Sequence, residues 1–366
     1  MTAEQRTRRR STAQQWPANV PEFPPFAPAW LDRLQDWIEA RPIPPWASYL
    51  LAAGGASLIM HLPRWLDGSL PPGSFEVNQL AASIYPIFFI AFIHYLNTTA
   101  RRALANYRPL LDLDDREYAS TEYMLSRMPR RLGALAILIG VLIGAASFFS
   151  DPASWGVQPD FSILSGGSLL VGALVGMIAA ACWVIQAIRQ ARTIDRIHAL
   201  TKRLNLYRRD PVYSFSTLTL RAALGLLLGV YSYLFLSLSL GLAANPNTID
   251  ALAMGFGIAL ALAIFFLPLS RMHGRLAGEK RRLLLELDDR YTRLAERFNQ
   301  QIDKGKFNEL DATTRAIASL AAQREMLAKI STWPWRPETL RSLLSTVALP
   351  LILYTGSRLL GRLLGV

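Results

Sequence analysis

Seven apolar blocks stand out along the chain: Trp46–Leu62, Leu80–Asn97, Leu132–Phe149, Leu169–Ile188, Leu218–Ala243, Ala251–Leu269 and a more interrupted Leu340–Leu360. A bilayer crossing takes about 20 apolar residues, so each block is read as a membrane helix. Between Ser270 and Trp333 the pattern changes. Leu276, Leu283, Leu287, Leu294, Phe298 and Ile302 recur at three- and four-residue steps, with charged residues between them, as on one face of a helix. Gly305 offers a stop and Asn308 an N-cap, after which Leu310, Ile317, Leu320 and Leu327 mark a second arm. The arms should be roughly 50 and 35 Å long and should pack antiparallel in coiled-coil geometry. The run Leu283–Leu284–Leu285–Glu286–Leu287 is wider than a two-helix seam needs, so a further surface is expected to cover it. That surface is either another helix of the chain or a second subunit.

Upstream, Trp30, Leu31, Leu34, Trp37 and Ile38 share a helical face opposite Asp32, Arg33, Asp36 and Glu39. This predicts a helix lying in the membrane interface, with a partner-binding helix as the alternative. The pattern continues past the fourth block through Ile194, Ile197 and Leu204, so that helix should project beyond the bilayer. The fold class is therefore an all-α integral membrane protein. It should have about seven transmembrane helices and a helical hairpin that joins other helical loops in a bundle. Four regions follow: a basic, proline-rich tail with the interfacial helix (1–45), a six-helix region (46–270), the hairpin (271–332), and a Trp-Pro-Trp elbow with the last membrane helix (333–366).

Charge fixes the expected orientation. With the amino terminus inside, 36 of the 39 basic residues fall on the cytoplasmic side, and the outer connections 150–168 and 244–250 hold none. Arg6, Arg8, Arg9 and Arg10 are followed by no apolar core, so they read as a cytoplasmic tail drawn to anionic lipid rather than a signal peptide. Arginine supplies 34 of the basic residues, a bias that with abundant Ala and Leu points to a GC-rich bacterial genome, so the expected location is the bacterial inner membrane.

Candidate chemistry is sparse. The central spans carry no Asp, Glu or Lys, and His61, His94 and His273 fall near span ends. Asp112–Leu113–Asp114–Asp115 resembles an acidic phosphotransfer motif, but helix capping around Asp112 fits its setting between two spans. No nucleotide-loop, zinc-protease, CxxC or serine-hydrolase motif occurs, and the single Cys182 makes no thiol cluster. The expectation is no enzyme, no cofactor and no metal. The basic charge is absorbed by topology, so no nucleic acid is expected. Small residues at helical spacing (Gly140 and Gly144, Gly172 and Gly176, Gly225 and Gly229) are candidate helix-packing positions. Trp333, Pro334 and Trp335 form either an anchoring elbow or a coupling element between the hairpin and the last span.

In layout the chain resembles the insect odorant and gustatory receptors. The likeness rests on seven spans, an inner amino terminus, a helix before the first span, and a final helix split as Asn308–Ile330 and Pro337–Leu360. It implies an oligomeric channel with a pore-lining last span; if this chain is such a channel, Leu343, Val347, Leu351 and Tyr354 would line or gate its path. That family's aromatic pattern in the last span is absent, so none of its functional residues carries over. The expected function is an oligomeric channel or receptor-like pore. The alternatives are a membrane scaffold whose hairpin docks a cytoplasmic protein and a small-molecule transporter. The expected partners are the lipid bilayer, further copies of the chain and a cytoplasmic protein.

Overall fold

The computed structural model describes residues 24–158, 161–202, 204, 206–207, 210–239, 248–304 and 310–348. The basic tail, the hairpin turn around Gly305 and Asn308, Leu351 and Tyr354 lie outside them. Of the described residues 84% are helical. In chain order the helices are α1 (Trp30–Glu39), α2 (Pro45–Leu66), α3 (Val77–Tyr107), α4 (Asp115–Ser126), α5 (Arg130–Ser150), α6 (Ile163–Leu200), α7 (Ser214–Ser239), α8 (Thr248–Asp303), α9 (Leu310–Lys329) and α10 (residues 337–348). Five of them, α3, α5, α6, α7 and α8, are long and apolar enough to cross a membrane, as in a multi-pass membrane protein. α2 is a 22-residue helix but is not one of those five.

α3, α6, α7 and α8 surround one core, where Leu96, Leu104, Trp183, Phe215, Leu227 and Phe265 are buried together. α5 packs along α6, and α2 along α3. α3 and α6 both outrun their apolar blocks, carrying Tyr107, Ile194 and Ile197 into the same core. No chain break separates the sixth apolar block from the first hairpin arm. Both belong to α8, a 56-residue helix that runs through Pro268. Proline removes one backbone donor, and in such helices neighbouring groups satisfy the freed backbone. The group so freed is the Ile264 carbonyl; His198 Nδ1 donates instead to the Pro268 carbonyl at 2.9 Å, a tie between α6 and α8.

α9 folds back antiparallel on the distal part of α8. Arg324 meets Asp288 at 2.7 Å, the Lys280 ammonium donates to the carbonyls of Ala328 and Ile330, and Thr313 bonds Gln301. Leu283, Leu284 and Leu287 pack against the core at the root of this hairpin, whereas Leu285 is 55% exposed. The leucine run is thus covered in part by the same chain.

α1 does not rest on an apolar face alone: Asp32 and Gln35, from its polar side, are buried, and Trp37 is 54% exposed. A docked polar face holds more than a tryptophan contact could, because buried polar groups demand partners. The acidic run does cap a helix, at Asp114. Asp114 accepts from the Glu117 N–H at 2.7 Å and Glu117 reaches back to the Asp114 N–H, while Asp112 pairs with Lys202.

At the opposite end of the spans, Arg64 is nearly enclosed. It pairs with Glu76 and lies over the Phe161 ring at 4.4 Å. His61 beside it donates from Nδ1 to the Ser57 carbonyl at 2.7 Å and accepts the Glu76 N–H at Nε2. The loop carboxylate of Asp67 accepts from Ser162, Ser165 and Ser69, which hold its pKa well below the ordinary carboxylate range.

Candidate functional site

The glycine positions differ in what they permit. Gly140 faces the backbone of α6 so closely that an added Cβ would lie 2.5 Å from the Ile178 nitrogen. Gly144, one turn on, leaves 3.2 Å to Leu174 Cα. A Cβ at Gly172 would meet Met60 and Ala82, one at Gly225 the Phe92 ring, and one at Gly229 Trp183 at 3.4 Å. Gly176 has only the Pro86 ring, at 3.9 Å. Close backbone approach is therefore concentrated at Gly140 on the α5–α6 seam.

The elbow is a stack of rings. Trp333 lies flat on His273 at 3.8 Å between centroids and on Trp335 at 4.3 Å. Trp335 in turn meets Phe265 and Phe266 at 5.5 and 5.6 Å. Pro334 between the tryptophans is buried, and Arg336 reaches Asp210 at 3.1 Å. The chain leaving α9 is thus fastened to α8 at the base of the hairpin. Beyond the elbow, Leu343 is completely buried in the core, and Val347 packs on the same core while its carbonyl lies 3.4 Å from the Tyr231 hydroxyl.

The densest polar arrangement lies elsewhere, where α1 meets α3, α4 and α6. Asn97 of α3 is its centre. Its amide donates to Gln35 at 3.0 Å, and its carbonyl oxygen accepts from Gln186 at 2.8 Å and Gln190 at 2.9 Å. All four amides are buried. The spacing of Gln186 and Gln190, four residues apart on α6, puts both on one face.

Alongside, Asp32 (1% exposed) accepts the backbone N–H groups of Ala29 and Met128 at 3.2 and 2.9 Å. Burial pushes its pKa up to about 6, against the lowering pull of those two donors and of Arg127. Arg127 pairs with Asp36 at 2.6 Å, and the Arg189 guanidinium donates to Gln186 and to the Met124 carbonyl. At the far end of α1, Glu39 takes a 2.7 Å bond from His94, which depresses the Glu39 pKa, and the other nitrogen of His94 meets the Tyr49 hydroxyl. Backbone pairing completes the dock, with Ala29 donating to Met128 and Arg130 to Ala27.

The amides of this site are neutral, so they can exchange hydrogen-bond partners without moving charge. One carboxyl among them titrates near neutrality. Together they latch the amino-terminal helix onto two long helices. Asp32 Oδ1, Gln35 Nε2, Gln190 Oε1 and Arg189 Nη2 have no hydrogen-bond partner among the described residues. Among the described residues, no three His, Cys, Asp or Glu side chains converge as a metal site would require.

A search of the spans for charge overlooks this cluster, because its central members are amides. The signal was Asn97, Gln186 and Gln190 placed at the ends of apolar runs. No protein-family model, no curated protein and no solved structure matches the chain.

Proposed function

We propose that this protein is a non-enzymatic, multi-pass membrane scaffold that presents the α8–α9 hairpin to a protein partner at the cytoplasmic face. Its topology has seven crossings, counting α2 and the helix that begins with α10, and an inner amino terminus. The observation that carries this reading is the hairpin itself. Its root is braced by the ring stack, while from residue 288 to 300 no side chain of α8 is fully buried. Leu285 (55% exposed) and Met326 (57% exposed) stand at about the same level on the two arms and face away from the seam. Apolar side chains held out on a braced arm suit helix-on-helix docking.

The pore reading places Leu343 and Val347 on a conduction path. Leu343 has no exposed surface within the single chain, so that path would need the last helix to turn out of the core. The scaffold reading needs no such movement.

A reporter fused at Gly305 tests the side of the membrane: activity of an outside-only reporter there defeats the reading. Photocrosslinkers placed at Leu285 and Met326 in the full-length protein in cells test the docking face. A discrete protein adduct is expected at both, lost on Leu285→Asp, whereas adducts to lipid alone would overturn the proposal.

A further inference from the structure

Between α6 and α8, just above the point where they are pinned together, lies an open groove of about 480 Å3. Its walls are Ile188 of α6 and Leu260, Leu267 and Pro268 of α8, and its lower rim carries Arg192 and Arg196. The volume lies within the range of small-molecule sites, about 300–1,000 Å3. From this groove we infer a binding site for one anionic phospholipid of the cytoplasmic leaflet. The acyl chain would lie along the apolar walls and the phosphate on the two arginines. The inference goes beyond the scaffold reading and shares with it only the membrane setting and the orientation.

Three observations converge on this occupant. First, the groove is a fixed seam. His198 Nδ1 donates to the Pro268 carbonyl, Arg271 pairs with Asp195 at 2.8 Å, and Arg275 donates to the last carbonyls of α6. These ties sit at and below the rim, so the walls above them are held apart at a set distance.

Second, the charge at the rim is uncompensated. Asp195, the one acid among the groove's lining residues, is taken by Arg271. Arg192 and Arg196, four residues apart and so on one helix face, are exposed and take no ion-pair partner among the described residues. Two guanidinium forks on one face match the oxygens of a phosphate.

Third, polarity is graded along the groove. The arginines fall where the apolar block of α6 ends, level with the last apolar turns of α8, and Leu267 on the wall is 67% exposed. A soluble phosphorylated ligand would leave that leucine unmatched, whereas a lipid covers both ends. Basic pockets between membrane helices on the inner side take anionic headgroups for the same reason.

The test uses the full-length protein purified in detergent. Phosphatidylglycerol is titrated against it, with phosphatidylcholine as the zwitterionic arm and inorganic phosphate as the free-anion arm, and bound lipid is read by native mass spectrometry. Phosphatidylglycerol is expected to bind well ahead of phosphatidylcholine and to resist displacement by millimolar phosphate.

The double variant Arg192→Gln/Arg196→Gln should bind it roughly 30-fold more weakly, the equivalent of about 1 kcal/mol per basic residue. The exposed pair Arg290→Gln/Arg293→Gln, farther along α8, should bind as the wild type does. Ala263→Trp fills the groove and keeps both arginines, so it should also lower binding; it supplies the same test if the double variant fails to fold. Equal binding of the two lipids, displacement by phosphate, or undiminished binding in the rim and groove variants would each overturn the assignment. A Gly305 reporter placed outside would defeat the orientation but would leave in vitro lipid binding intact, so the two failures are distinguishable.

Discussion

Adding a single methyl group at three glycines separates contact from coincidence on the α5–α6 seam. At Gly140 the new Cβ would lie 2.5 Å from Ile178 N, closer than real atoms come, and the obstacle is backbone. Since carbon contacts are optimal at about 3.5–4.0 Å, the two helices must part by roughly 1 Å along that face. Overpacking of this kind costs about 1–3 kcal/mol, and a backbone obstacle belongs at the upper end. Helix propensity returns up to about 1 kcal/mol on replacing glycine by alanine, so Gly140→Ala should destabilise by about 2 kcal/mol net. At Gly144 the nearest atom is 3.2 Å away, and small relaxation brings the net effect near zero. At Gly176 the nearest atom is 3.9 Å away, so only the propensity gain of up to about 1 kcal/mol remains.

Unfolding in mixed micelles with rising dodecyl sulfate, followed by circular dichroism, reads the order directly. The expected ranking is Gly176→Ala most stable, then Gly144→Ala, then Gly140→Ala, with some 3 kcal/mol across the series. Equal midpoints for Gly140→Ala and Gly176→Ala would refute the packing of α5 on α6.

Replacing Asn97 with Leu strands Gln35, Gln186 and Gln190 in a buried site. It should cost about 2–4 kcal/mol in the same assay and expose the α1 segment to protease, whereas unchanged proteolysis would remove the latch. Asp32, with its pKa raised from 3.8 to about 6, favours the docked state fully below pH 3.8 and loses that contribution as pH rises through about 6. Hydrogen exchange in α1, corrected for intrinsic rates, should therefore loosen between pH 4 and 7 by up to about 3 kcal/mol. Asp32→Asn should flatten the profile, and an unchanged profile in the variant would assign the titration elsewhere. Trp335→Ala removes the contacts with Phe265, Phe266 and Trp333, and should cost about 2 kcal/mol. It should also speed amide exchange in α9 without loosening α5, and uniform loosening would deny the elbow its local role.

The hydropathy blocks delivered most of the helices because burial in lipid or core leaves a long apolar record in the chain. Boundaries were less legible. Nothing polar enough stands at Ser270 to end a helix, so α8 continues for the whole 56 residues, through the proline that would have marked a break. α1 misled for a physical reason. Its tryptophans make an apolar face, but Asp32 and Gln35 find partners far off in sequence, at Met128 and Asn97, so the polar side docks as well. The glycine pairs were visible as spacing, whereas which of them touches backbone depends on the neighbouring helix.

The uneven bracing of the molecule bears most directly on what it does. Polar ties collect at two places: the amide latch under α1, and the junction where His198, Asp195 and the α6 carbonyls grip α8 through Pro268, Arg271 and Arg275. Both lie at the same end of α6, just past its apolar block, and the ring stack of Trp333 and Trp335 sits at the corresponding level of α8. Distal to these ties, α8 and α9 hold each other through a single seam, the Thr313–Gln301 hydrogen bond and the exposed Arg324–Asp288 pair, the last worth about 0–1 kcal/mol. A helix pair so fixed at its base and so weakly covered at its far end gains most from a partner that covers it. The gain is largest where Leu285 and Met326 already stand in water. If each loses half its accessible area on docking, the burial of two such side chains contributes about 1–2 kcal/mol, so several further contacts must accompany them. Leu285→Asp and Met326→Asp together should therefore weaken the complex at least tenfold while leaving the unfolding midpoint in micelles unchanged. A shift in the midpoint equal to the loss in binding would mean that these side chains serve the fold rather than a partner.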